Sequence, residues 1–138
     1  MEIEAEAPRN ENLQRITVLL ADDHRLFSEA LEALLEGDAR IEVVGRARNG
    51  REAVDLAVSL APDVVLMDVN MPVMNGLQAT ERIRAAAPGI RVLMLTGSKS
   101  PNDADRALRA GASGYVTKDR VASQLIDAII ELGRSGRA

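Results

Sequence analysis

Five side chains suited to phosphoryl chemistry stand at or just after the ends of apolar runs in this 138-residue sequence. They are Asp22, Asp23, Asp68, Thr96 and Lys118. Three carboxylates held together repel one another, so such a cluster requires a compensating cation. A set of oxygen ligands with few protein donors suits Mg²⁺, whereas calcium requires more ligands and zinc prefers histidine or cysteine. The pattern therefore predicts a magnesium site beside a carboxylate.

The acids have distinct expected roles. Asp68 is the candidate nucleophile, because a carboxylate can attack phosphorus and form an acyl phosphate. We expect Asp23 and Asp68 to bind the metal directly and Asp22 to bind it through water. The main-chain carbonyl of Asn70 would complete the metal site.

The remaining polar groups are expected to bind phosphate. The hydroxyl of Thr96, the amide of Gly97 and the ammonium of Lys118 would hold the phosphoryl oxygens and offset developing charge. Gly97 also leaves room for a donor to approach in line. Only Lys99 and Lys118 are lysines among the 17 basic residues, which makes the position of Lys118 informative.

Hydrophobic periodicity predicts the elements that position these side chains. Buried-strand runs alternate with amphipathic helical patterns, which is typical of a parallel sheet covered on both faces. The predicted strands span 16–21, 41–45, 64–68, 91–95 and 113–117, and the helices span 25–36, 76–87 and 120–132, with two more starting at the caps Asn49 and Ser100. The helix after Ser100 has Leu108 as its only large apolar residue, so we expect it to be loosely anchored.

These elements predict a doubly wound, flavodoxin-like α/β fold whose five-stranded parallel sheet has the order 2-1-3-4-5. In that fold the carboxyl ends of the strands share one edge, where ligands bind. All the candidate residues therefore converge without being close in sequence.

Composition indicates a single intracellular domain. With 46% hydrophobic residues but no Trp, one Tyr and one Phe, the core must be aliphatic. The acidic start lacks a signal-peptide pattern and no apolar run is long enough to span a membrane, so we expect a cytoplasmic protein without membrane contact. The net charge of −4 weighs against direct nucleic-acid binding.

We expect a flexible leader over 1–15, one domain over 16–132 and a flexible tail over 133–138.

The strand ends and their flanking residues resemble the receiver domains of two-component response regulators. The matching segments are 21–24, 66–72, 75–76, 95–97 and 110–118, read as Ala-Asp-Asp-His, Leu-Met-Asp-Val-Asn-Met-Pro, Asn-Gly, Leu-Thr-Gly and Ala-Gly-Ala-Ser-Gly-Tyr-Val-Thr-Lys. The resemblance covers roughly residues 16 to 132. Segments 49–53 and 76–80 are similar to the branch whose members usually carry a LuxR/FixJ-type helix-turn-helix output domain.

The resemblance implies a mechanism. A histidine kinase would phosphorylate Asp68 with Mg²⁺, after which Thr96 would turn toward the phosphate and Tyr115 would move inward behind it. The change would alter the face formed by residues 98–132 and so control an output. The domain would assist its own phosphorylation and dephosphorylation without being an enzyme.

The implied partners are a sensor histidine kinase and a second copy of the chain. Pairing of two copies through the first and fifth helices and pairing through the face of residues 102–132 both stay open. Because the chain stops at Ala138, we expect DNA to be contacted only through an output domain outside it. The chain would then be either a receiver fragment or a stand-alone receiver that acts on a protein partner.

The residues also suggest other functions for this chain. A haloacid-dehalogenase-type phosphatase would need a second acid two positions after Asp68, where this chain has Asn70, which cannot exchange a proton. A flavin site lacks aromatic residues, and no G-x-G-x-x-G follows the first strand. A receiver-shaped scaffold that is never phosphorylated stays open. We expect His24 to be a solvated loop residue rather than a ligand, because it has no second histidine beside it.

Overall fold

The computed structural model describes residues 15–97 and 101–137, and it has the expected α/β architecture. The strands are β1 (Ile16–Ala21), β2 (Ile41–Ala47), β3 (Val64–Asp68), β4 (Arg91–Thr96) and β5 (Gly114–Thr117). The helices are α1 (Arg25–Glu36), α2 (Gly50–Leu60), α3 (Gly76–Ala86), α4 (Pro101–Arg109) and α5 (Val121–Arg137), and a 3₁₀ turn (Lys118–Arg120) precedes α5.

The sheet confirms the predicted topology. Its strands lie in the order β2-β1-β3-β4-β5, and every neighbouring pair is parallel. All residues of β3 are buried, because helices cover the central strand on both faces. Val65 and Met67 pack into the core beneath α2 and α3, while Val64 and Leu66 pack into the core beneath α1 and α5. This alternation is the two-residue period of a strand buried on both sides.

Two predicted boundaries differ from the structure by two residues or more. β2 runs two residues beyond 45 because it stays paired with β1 as far as Ala21, across an irregularity between Val18 and Leu19. The predicted helix end at 132 is wrong, since α5 continues to Arg137. The predicted Ser100 cap lies outside the described residues.

Gly133 explains the longer last helix. A Cβ atom at this position would lie 2.6 Å from Cγ2 of Ile16, so only glycine lets α5 pack this close to β1. Glycine has a low intrinsic helix propensity, and the predicted helix stops one residue before Gly133. In the structure, its contact with β1 outweighs that propensity.

The start of α3 is pressed against the backbone of Asp68. The Gly76 N–H donates to the Val69 carbonyl at 2.8 Å, and a Cβ on Gly76 would lie 2.0 Å from the Asp68 carbonyl oxygen. Asn75 and Gln78 form a reciprocal capping box that fixes where α3 begins. The hydrogen bond to Val69 and the capping box therefore both hold the loop after β3, which fixes the direction of the Asp68 side chain.

The helix α4 is only shallowly buried against the rest of the domain. Its one buried residue is Ala107, and half of Leu108 is exposed. Within the described residues, no helix is both long and apolar enough to cross a membrane.

Candidate functional site

The carboxyl ends of β1, β3 and β5 bring three charged side chains into contact. Asp22 follows β1, Asp68 ends β3 and Lys118 follows β5. The Lys118 Nζ atom lies 3.4 Å from Asp68 Oδ1 and 3.7 Å from Asp22 Oδ2. Both acids are almost fully buried, whereas the lysine side chain is 25% exposed. The predicted convergence at one edge of the sheet is present.

The ring of Phe27 lies beneath the ammonium group of Lys118. The Lys118 Nζ atom lies 4.8 Å from the centroid of the Phe27 ring, which is within the range of a cation–π contact. Phe27 is the chain's only phenylalanine. Its role could not be inferred from the sequence, because the residue is on α1, far from Lys118 along the chain.

Burial makes the charge on Asp68 unfavourable. Removal from water raises the pKa of Asp68, and the neighbouring charge of Asp22 raises it further. Lys118 and the backbone N–H of Asn70 lower this pKa, the latter through a long 3.5 Å hydrogen bond to Asp68 Oδ1. The pKa of Asp68 remains raised overall. The cluster therefore has less positive charge than its carboxylates require.

The oxygen atoms of this cluster fit a divalent cation. Asp22 Oδ2 and Asp68 Oδ2 are buried and have no hydrogen-bond partner within the described part of the chain. Asp23, which is exposed, adds a third carboxylate beside them. Hard oxygen donors with unsatisfied charge are the ligands that Mg²⁺ prefers.

His24 lies inside the acid cluster, which the sequence analysis did not predict. Its Nδ1 atom is 3.1 Å from Asp22 Oδ1, 3.2 Å from Asp23 Oδ1 and 3.8 Å from Asp68 Oδ2. The side chain is 61% exposed, so the expectation of solvation is correct, but the ring contacts all three acids. The available signal was its position directly after two aspartates.

Two of the predicted phosphate-binding residues, Thr96 and Gly97, line a cavity together with Val69 and Asn70, which follow Asp68 in the chain. Thr96 is buried at the end of β4, and a Cβ added to Gly97 would meet no described atom within 4 Å. The cavity has a volume of about 330 Å³ and is lined by Val69, Asn70, Asn75, Leu77, Thr96, Gly97, Asp103 and Arg106. A small phosphoryl donor would have room here.

Tyr115 does not join this cluster. It lies on β5 opposite Met94, and 46% of the residue is exposed. The inward movement implied for Tyr115 would therefore start from an outward position.

The sequence matches the family profile of the response regulator receiver domain over residues 18–130. It is 40% identical over 121 residues to the transcriptional regulatory protein LnrK of Bacillus subtilis, covering 88% of this chain and 55% of LnrK. It is 37% identical over 118 residues to the nitrate/nitrite response regulator protein NarL of Escherichia coli, covering 86% of this chain and 55% of NarL. The chain thus spans about half the length of these relatives.

Solved structures with the same fold include receiver domains. The signal receiver domain of NarL from Mycobacterium tuberculosis superimposes with a TM-score of 0.84 at 31% identity, covering 88% of this chain and 98% of that one. The response regulator domain of Thermotoga maritima CheB gives a TM-score of 0.82 at 33% identity, with coverages of 87% and 97%. The resemblance drawn from the motifs is confirmed.

Proposed function

Because the chain belongs to the receiver domain family of two-component response regulators, we propose that it is a switch controlled by phosphorylation of Asp68. The phosphoryl group would come from a phosphohistidine of a sensor histidine kinase. The observation that carries the proposal is the contact of Lys118 Nζ, at 3.4 Å, with the buried carboxylate of Asp68. A receiver is a signalling domain rather than a catalytic enzyme.

In the proposed transfer, a carboxylate oxygen of Asp68 attacks the phosphorus atom of phosphohistidine. An oxygen–phosphorus bond forms while the nitrogen–phosphorus bond breaks, and the electron pair leaves with the kinase imidazole. Lys118, the Thr96 hydroxyl and the Gly97 N–H are placed at strand ends where they would bind the phosphoryl oxygens. The same groups would assist hydrolysis of the acyl phosphate.

The metal-binding residues would be Asp23, Asp68 and the Asn70 carbonyl, with Asp22 acting through water. When bound there, Mg²⁺ would offset the negative charge of the phosphoryl oxygens. The two buried oxygens of Asp22 and Asp68 without hydrogen-bond partners support this assignment.

The conformational response would pass through α4. Thr96 would turn toward the phosphoryl group, Tyr115 would move from its half-exposed position toward the space behind Thr96, and the face of residues 98–132 would change. The shallow burial of α4, which has Ala107 as its buried residue, supports a two-state role.

The output would be transcription, through a DNA-binding domain outside this chain, or a protein partner. The relatives LnrK and NarL are transcriptional and response regulators by name, which favours the first route. Pairing of two copies is a further proposal. Exchange with a kinase would place the protein in the cytoplasm.

The test is phosphorylation by phosphoramidate or acetyl phosphate with Mg²⁺, read by intact-mass spectrometry. We expect one acid-stable, hydroxylamine-labile phosphoryl group, which EDTA prevents. Asp68→Asn should abolish it, whereas Asp55→Asn, which removes the same charge from an exposed position on α2, should not.

Two results would contradict the proposal. Bound metal without any phosphoryl adduct would favour a scaffold that is never phosphorylated. Sustained turnover of a phosphomonoester would favour the phosphatase instead.

A further inference from the structure

His24 occupies the N-cap of α1 but does not cap the helix. Ser, Thr, Asp or Asn usually fill this position and accept a helix N–H, whereas the His24 side chain makes no capping hydrogen bond. Its backbone N–H donates instead to Asp22 Oδ1 at 2.7 Å. This short turn brings the imidazole back over the acids, where Nδ1 can act as a ligand.

The spacing around Nδ1 matches that of neighbouring ligands on one metal ion. The Nδ1 atom is 3.1 Å from Asp22 Oδ1, where the two form a hydrogen bond that a bound metal would replace, and 3.2 Å from Asp23 Oδ1. Ligand bonds of about 2.0 Å place neighbouring ligand atoms about 3.3 Å apart around a tetrahedral ion. One atom from each of the three acids and the imidazole nitrogen lie within 4.8 Å of one another.

Buried oxygens without hydrogen-bond partners give a second, separate reason to place a cation at this cluster. The side chains of Asp22 and Asp68 are 1% and 3% exposed, and the Oδ2 atom of each has no hydrogen-bond partner among the described residues. Asp68 Oδ2 lies on the side of His24, 3.8 Å from Nδ1. Lys118 supplies one positive charge to this cluster, which leaves the acids under-compensated.

The geometry points to a mixed nitrogen and oxygen metal site, in which His24 Nδ1 joins the carboxylates as a ligand for a first-row transition-metal dication such as Zn²⁺. An imidazole ligand raises the affinity of a site for zinc, copper or nickel far more than for magnesium. The exposed imidazole edge leaves an entry path from solvent. The site differs in this ligand from the oxygen-only set assigned to Mg²⁺ above.

A regulatory consequence follows, and it rests on the proposed function. A transition metal held by His24 would occupy carboxylate oxygens of Asp23 and Asp68 that Mg²⁺ and the phosphoryl group require. It would therefore inhibit phosphorylation in competition with Mg²⁺.

The chain offers a clean test, because His24 is its only histidine and it has no cysteine. Zn²⁺ and Mg²⁺ binding would be measured by isothermal titration calorimetry on tag-free wild type, His24→Gln and the control Asp55→Asn. In His24→Gln we expect the Zn²⁺ dissociation constant to rise about tenfold or more, with a much smaller change for Mg²⁺. The Asp55→Asn control should bind both ions like the wild type.

Co²⁺ gives a second readout, because its visible absorption bands report ligand type and geometry. The spectrum of the wild-type complex should change in His24→Gln. Thermal unfolding in EDTA would check that the variant is folded. We expect it to fold, because the His24 side chain is largely exposed.

Equal Zn²⁺ affinity in wild type and His24→Gln would overturn the inference. A loss of Mg²⁺ affinity as large as the loss of Zn²⁺ affinity would overturn it too. The calorimetry does not depend on phosphorylation. Failure of the wild type to accept a phosphoryl group with Mg²⁺ alone would refute the proposed function and leave the Zn²⁺ comparison intact.

Discussion

Replacing Lys118 by methionine should destabilise the metal-free protein, because it leaves Asp22 and Asp68 without their nearest cation. Methionine keeps an unbranched apolar side chain over Phe27 while removing the ammonium. The Nζ–Oδ1 distance of 3.4 Å to Asp68 corresponds to an attraction of about 5 kcal/mol at an effective dielectric constant of 20. The desolvation cost of the ions offsets part of this attraction.

Removing one partner of a buried ion pair costs about 3–5 kcal/mol, because the other charge stays buried. Since the lysine side chain is 25% exposed, we expect a smaller loss, about 2–3 kcal/mol, after allowing for solvent screening. For a chain of this size that loss lowers Tm by about 8–12 °C. The matched control is Arg25→Met, which removes an exposed cation paired with Glu29 and should change stability by less than about 0.5 kcal/mol.

The assay is thermal unfolding by circular dichroism at pH 7.5 in EDTA, repeated toward pH 4. Burial and then Asp22 already raise the pKa of Asp68, and loss of Lys118 should raise it further. A raised carboxyl pKa means that the folded state binds its proton more readily than the unfolded state. The deficit of Lys118→Met should therefore shrink as pH falls through that pKa. A variant that melts with the wild type at pH 7.5, or keeps its full deficit at pH 4, would refute this reasoning.

Two further substitutions test the structure around the site. Gly76→Ala should destabilise the fold by at least about 1–3 kcal/mol, because its Cβ would lie 2.0 Å from the Asp68 carbonyl oxygen. Gly89→Ala is the control, since its Cβ would meet no described atom within 4 Å and the change should be nearly neutral. Urea unfolding compares the two variants, and equal effects on stability would contradict the predicted overlap. Hydrogen bonds from the Arg40 side chain, and then from the Arg40 backbone N–H, lower the pKa of Asp38 to about 2. Asp38 therefore stabilises the fold above its ordinary pKa, and this contribution is lost as pH falls toward 2. Arg40→Gln should raise the Asp38 pKa in a carbon-detected NMR titration, and an unchanged value would show that Arg40 is not the cause.

Much of the site was predictable because parallel strands place their carboxyl ends at one edge of the sheet. Once strands were recognised before Asp68 and Lys118, their proximity followed from topology alone. The burial of the central strand also followed, since four consecutive apolar residues precede Asp68.

Features that depend on side-chain direction or long-range packing were not predictable. The position of the His24 ring depends on a turn closed by the Asp22 carboxylate, and helix-capping preferences give no indication of it. The contact between Phe27 and Lys118 and the passage of α5 through Gly133 both arise from packing between elements distant in sequence. Local propensity correctly identifies most elements but cannot identify these contacts.

The most direct test of the central claim is to locate the phosphoryl group on the chain. Borohydride reduces an aspartyl phosphate to homoserine, and tandem mass spectrometry of the digested protein would show which residue has changed. The account predicts homoserine at Asp68 alone, formed only when phosphodonor and Mg²⁺ are both present. Homoserine at Asp22 or Asp23, or a phosphoryl adduct that leaves every aspartate unreduced, would contradict it.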